Sequence, residues 1–194
     1  MMPVAPVTLD EIIGLQRYEE VRDDVRRRII ELKKKRRVSV GDKVTFVFEN
    51  HDTVWFQIQE MLRAERIVDL DRVREEIEVY NQLIPRPNEL SATMFLEITD
   101  QAKVREELLR FQGIDECVRL ELGSLQLQGV FEPGRAKEDK LSAVQYVRFV
   151  CPPEVPRLLV DQSITARLIV AHPNYHAAAE VPLPVRASLA EDLQ

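Results

Sequence analysis

Apolar and polar residues alternate in two rhythms along this chain, one dominating each half. Near the start, Tyr18, Val21, Val25, Ile29 and Leu32 recur at steps of three and four. That spacing lays one apolar stripe along a helix reaching about Lys35. Ahead of it, Thr8 and Glu11 have the spacing of a capping box, in which a hydroxyl and a carboxylate satisfy free helix-start amides. Val7 and Ile12 sit where a hydrophobic staple would pack, and Gly14 splits off or kinks the first turn. After a Gly41–Asp42 turn the period becomes two. Val44, Phe46 and Phe48 alternate with Thr45, Val47 and Glu49, which predicts a half-buried strand. Asn50 or Asp52 then caps a second helix with Trp55, Ile58, Met61 and Leu62 on its apolar side. Asp69 or Asp71 opens a third through Val73, Ile77, Tyr80 and Leu83 or Ile84, ended by Pro85 and Pro87. Leu90 to Ile98 alternate as a strand, and Asp100 starts a fourth helix carrying Val104, Leu108 and Phe111, stopped by Gly113.

The second half predicts hairpins. Gly123–Ser124 fits a two-residue turn with glycine first. That register pairs Leu122 with Leu125 and Leu120 with Leu127, so all four leucines share a face. A polar loop, Glu132 to Lys140, leads to a strand near Ala143–Val150, and Pro152, Pro153 and Pro156 force an irregular crossing. A last hairpin spans about Ile164–Ala171 and His176–Leu183, turning at Pro173–Asn174 and setting Arg167 opposite Glu180. The fold class expected is α+β: a helical N-terminal half packed on a mainly antiparallel β-sheet or partly closed barrel. One domain over 1–194 is expected, helix-rich over 1–112 and strand-rich over 113–187. No Gly-rich phosphate loop can be assembled from six glycines, and no alternating strand–helix series points to a dinucleotide fold.

Charge changes this picture in one place. Eight bases and one acid between Arg26 and Arg37 give twelve residues a net +7, while the chain as a whole stands at −6 and the remainder at −13. The plain reading is a solvated helix end, since cations favour the last turn. The functional reading makes Lys33, Lys34, Lys35, Arg36 and Arg37 a docking patch for an anionic partner. Nucleic acid is disfavoured as that partner, because no aromatic residue interleaves with the basic run. No apolar run approaches bilayer length, and no positive residue precedes Arg17, so neither a transmembrane helix nor a secretory signal is expected. Cys117 and Cys151 read as reduced thiols in a cytoplasmic protein.

Candidate chemistry is sparse. His172, His176 and Glu180 would line one face of a helix as metal ligands, but the hairpin turns the two histidines to opposite faces. Glu49, Asn50, His51 and Asp52 bunch at a strand-to-helix junction, with Glu60 and Arg63 farther along the helix. Glu49, His51 and Glu60 could be drawn as a two-carboxylate, one-imidazole metal site. The competing reading is helix capping by Asn50 or Asp52 and an i,i+3 ion pair between Glu60 and Arg63. Neither cysteine has a neighbouring base, and no serine sits in a Gly-flanked elbow. No metal ligands and no cofactor are assigned.

The run Phe48–Glu49–Asn50, Asp52–Thr53 and Gln57–Ile58–Gln59–Glu60–Met61–Leu62–Arg63 resembles a bacterial family without an assigned activity, domain-of-unknown-function family 3501. Tyr80–Asn81, Leu83–Ile84–Pro85, Glu89 to Thr93 and His172–Pro173–Asn174–Tyr175 extend the resemblance over nearly the whole chain. Two positions depart from the family pattern. His51 stands where it has an Arg-like base, which weakens an anion-binding role there at neutral pH, and Gln82 stands where it has proline. The resemblance carries no activity. It implies a setting beside a rubrerythrin-like ferritin-fold iron protein and a cysteine-rich iron–sulfur protein, and so a partner among redox metalloproteins. The function expected is an accessory or interaction protein of iron-dependent redox or oxidative-stress metabolism. Its alternatives are a metal- or anion-dependent enzyme around Glu49, His51, Glu60 and Arg63, and nucleic-acid binding through Arg26–Arg37. The candidate site comprises Glu49, Asn50, His51, Gln57, Glu60, Arg63, Tyr80 and Asn81.

Overall fold

The computed structural model describes residues 4–132 and 142–193; most of the polar loop expected at Glu132–Lys140 lies outside them. A short 3-10 turn, Leu9–Glu11, carries the Thr8 capping box, and Gly14 caps the long helix α1, Leu15–Lys34. The strands β1 (Arg37–Val40) and β2 (Val44–Phe48) follow, then α2 (His51–Ala64), α3 (Leu70–Asn81) and β3 (Glu89–Leu96). A 3-10 turn at Gln101–Lys103 leads into α4, Val104–Arg110. The second half contains β4 (Val118–Leu122), β5 (Leu125–Gln128), β6 (Val130–Phe131), β7 (Val144–Val150), α5 (Val155–Val160), β8 (Ala166–His172), β9 (Tyr175–Glu180) and α6 (Leu183–Asp192). The fold is α+β. No helix is long and apolar enough to cross a membrane among the described residues.

Two antiparallel sheets form, in the orders β1-β2-β3-β7-β6 and β5-β4-β8-β9. Both stay open, which corrects the partly closed barrel. Alternation along β2 and β3 explains the layering. Val44, Phe46, Phe48, Leu90, Ala92, Met94 and Leu96 face the four-stranded sheet, α5 and α6 in one apolar cluster. Their alternates, Thr45, Val47, Ser91 and Thr93, face the other way, toward the helices. There a second cluster joins Val7, Tyr18, Val54, Trp55, Ile58, Leu62, Val73 and Ile77, with Tyr146 of β7 packed against it. Covering on both faces is why all five residues of β2 are buried rather than half of them. Each fully buried side chain of the size of Phe46 contributes about 1.5–3 kcal/mol.

Both expected hairpin registers are present: Leu120↔Leu127 and Leu122↔Leu125, and Arg167↔Glu180 with His172↔Tyr175. The Arg167 guanidinium reaches Glu121 at 2.9 Å, however, across β4–β8 rather than toward Glu180. Three elements depart from the sequence reading. β1 pairs with β2 through Val38↔Phe46, too short a run to show against the basic residues before it. The proline cluster yields helix α5, because Pro156 falls in the first turn, where its missing N–H costs nothing. Helix α6 starts with a proline as well, and a buried Arg186 ties it to α5 by donating to the carbonyls of Leu158, Leu159, Asp161 and Ile164.

Candidate functional site

The residues of the Phe48–Arg63 run are spread along α2 and serve different neighbours. Asn50 caps the helix: its Oδ1 accepts the Thr53 amide at 3.1 Å, and Thr53 Oγ1 accepts the Asn50 amide at 2.9 Å. Glu49, at the end of β2, is only 2% exposed. Its Oε1 accepts Thr93 Oγ1 of β3 at 2.6 Å, and its Oε2 accepts Thr53 Oγ1 at 2.5 Å and Gln57 Nε2 at 3.2 Å. Thr53 and Gln57 are one helical turn apart, so both can address one carboxylate. A buried carboxylate held by three neutral donors thus joins the sheet to the helix.

His51 belongs to a different group. Its Nε2 lies 2.9 Å from Glu11 and its Nδ1 3.3 Å from Asp52, at the half-exposed rim. Glu60 belongs to a third. Arg22 of α1 grips it with two bonds of 2.8 Å, and the buried Tyr18 hydroxyl donates at 2.8 Å. The Arg22 guanidinium holds the Glu60 carboxyl below its ordinary range, and burial together with Glu60 pushes the Tyr18 hydroxyl far up. Arg63 turns to Glu19 at 2.5 Å. The expected Glu60–Arg63 ion pair is therefore replaced by two pairs between helices, because α1 lies along α2 and offers carboxylate and guanidinium at the right heights.

Helix geometry keeps these groups apart. Nine residues separate His51 from Glu60, about 13.5 Å along the axis and two and a half turns, which places them on opposite faces. Among the described residues no three His, Cys, Asp or Glu side chains gather where they could hold a metal ion. His172 and His176 lie on β8 and β9 rather than on one helix. His172 is buried, with Nε2 on the Gln112 carbonyl at 2.8 Å and Nδ1 accepting the Asn174 amide at 3.1 Å.

The remaining motif residues strap the N-terminal segment down. Asn81, the last residue of α3, exchanges two 2.9 Å bonds with the backbone of Val7. Gln59 does the same to Ile13 at 2.7 and 3.1 Å, and Trp55 Nε1 donates to the Glu11 carbonyl at 2.9 Å. Tyr80 packs against the same helical cluster. Sequence patterning does not single out Tyr18, Arg22, Gln59, Thr53 or Thr93 as site residues. Tyr18 was hidden inside an apolar stripe, and Thr93 became relevant only when β3 paired beside β2.

The basic run splits. Lys33 lies over the Phe56 ring at 5.7 Å, Lys34 pairs with Glu31 at 2.6 Å, and Lys35 and Arg37 are exposed. Arg36 is 1% exposed and so is not part of a surface patch. It pairs with Asp192 at the end of α6, donates to the carbonyls of Phe48 and Glu49 at 2.7 and 3.1 Å, and reaches Ser188 at 2.9 Å. Both thiols are free, Cys151 buried and Cys117 half-buried, and burial pushes the Cys151 thiol up to about 12.

A family model described as "Protein of unknown function (DUF3501)" matches residues 6–193. The chain is similar to a crystal structure of a novel protein of unknown function from Burkholderia pseudomallei K96243, with 31% identity and a TM-score of 0.91. That alignment covers 98% of this chain and 100% of the other. No curated protein matches.

Proposed function

We propose, for a chain that belongs to the DUF3501 family of proteins of unknown function, that it is a cytoplasmic accessory protein which docks through the basic end of α1 on the acidic face of a redox metalloprotein. The observation that carries this reading is the exposure of Lys35 and Arg37 at that end, neither of which has an acidic partner among the described residues. Complementary charge across an interface speeds encounter and fixes orientation. The motif residues support the same reading, because Glu49, Gln59, Glu60 and Asn81 direct their hydrogen bonds into the chain itself. They hold a rigid helical layer against the sheet, as a docking scaffold requires.

The partner class is a rubrerythrin-like ferritin-fold iron protein or an iron–sulfur protein. Purified proteins of both kinds, fluorescently labelled, are titrated with this chain at low and high salt. Binding should weaken as salt rises, because exposed charges are screened. Reversing Lys35 and Arg37 to Glu should weaken it about tenfold or more, roughly 1.4 kcal/mol. Absence of binding to either protein at low salt, or indifference to the double reversal, overturns the proposal.

A further inference from the structure

Strand β9 ends its sheet, so one of its edges has no strand beside it. The Val181 amide donates to the Ala166 carbonyl, which fixes the parity of the ladder. Odd-numbered β9 residues turn their backbone groups to β8, and His176, Ala178 and Glu180 turn theirs outward. Those outward N–H and C=O groups have no hydrogen-bond partner among the described residues, and all three residues are exposed. Sheet edges are normally blunted by lysine, proline, a bulge or a covering element. The strand reads Tyr-His-Ala-Ala-Ala-Glu and pairs with β8 without a bulge; the β1–β2 turn packs on its inner side against Tyr175 and Ala177, while His176, Ala178 and Glu180 stay exposed. By contrast β6 has two residues, and β1 and β5 have four each.

We propose that the partner of this edge is a second copy of the chain, with two β9 strands pairing antiparallel about a two-fold axis at Ala178. The two four-stranded sheets then become one of eight strands. Side-chain pairing selects the register. Centred on Ala178, the pairing sets His176 of each copy opposite Glu180 of the other, twice over. Centred on His176 it would oppose two imidazoles, and centred on Glu180 two carboxylates, which repel. The same register completes a row on the outer face. Glu121, Arg167 and Glu180 already stand side by side across β4, β8 and β9, alternating in sign. His176 of the second copy adds an imidazole beside Glu180, able to share a hydrogen bond with its carboxylate. Ala178 at the axis carries only a methyl group, so the backbones meet without obstruction, and the three outward pairs exchange about six main-chain hydrogen bonds.

Sedimentation across a concentration series should show a monomer–dimer equilibrium. Ala178→Pro should leave a folded monomer by circular dichroism, because the amide it removes faces outward and proline is tolerated there on an edge strand. His176→Glu sets carboxylates against each other and should weaken the dimer at least about tenfold, and the swap H176E/E180H should restore it. Ala178→Cys in a Cys117→Ser background should form a covalent dimer on oxidation, since residues of a hydrogen-bonded pair lie about 5.5 Å apart at Cα, within disulfide reach. A chain that stays monomeric at every concentration overturns the proposal. So does a dimer that survives both Ala178→Pro and His176→Glu, because its contact lies elsewhere.

Discussion

Replacing Arg36 by methionine separates a docking residue from a structural one. On a surface patch the change would cost within about 0.5 kcal/mol. Here the guanidinium is 1% exposed and is paired with Asp192, whose side chain is 8% exposed. It also supplies donors to two backbone carbonyls where β2 passes into α2. Removing one member of a buried pair leaves the other charge uncompensated, at about 3–5 kcal/mol. For a chain of this size that is a fall in Tm of roughly 6–20 °C. Urea unfolding followed by the fluorescence of the single tryptophan, Trp55, measures it. Burial already pushes the Asp192 carboxyl up, against the pull of Arg36. Without Arg36 it rises further, so the folded variant favours the protonated acid more than its unfolded chain does. The penalty is therefore fullest near neutral pH and shrinks as pH falls through the raised folded value toward the ordinary 3.8. Arg36→Met with Asp192→Leu should recover part of the loss, because no charge is left behind. A loss below about 1 kcal/mol at neutral pH, or a loss that does not shrink in acid, refutes the reasoning.

Glu60→Ala should cost about 2 kcal/mol in the same assay, since it removes charge-assisted bonds to Arg22 and leaves the Tyr18 hydroxyl without its acceptor. The Arg22 guanidinium lowers the Glu60 carboxyl, so this stabilisation is present above the ordinary 4.5 and is lost as pH falls through the lowered folded value. A cost unchanged by acid would point to packing instead of charge. Gly41→Ala should cost about 2–4 kcal/mol, because φ is +72° and the added Cβ would strike the Tyr175 hydroxyl. That hydroxyl donates to the Val40 carbonyl at 2.6 Å, so crystal structures of the variant should show the Tyr175 ring displaced from the β1–β2 turn.

Local signals in the sequence determined the elements that announce themselves locally. The stripe of α1, both hairpin registers, and caps narrowed to Asn50 or Asp52 and to Asp69 or Asp71, of which Asn50 and Asp69 serve, depend on residues within a few positions of one another. So does the bunching of Glu49, Asn50 and Gln57, since β2 runs straight into α2. Partners at long sequence separation were decided only by the tertiary structure. Glu60 stands 38 residues from Arg22 and Arg36 stands 156 from Asp192, so neither pairing leaves a periodic trace. The same cause sent Arg36 inward while its neighbours Lys35 and Arg37 stayed in water. A guanidinium is worth burying only where a carboxylate and carbonyls from other elements meet it, and that meeting place exists only once the sheet and α6 have come together.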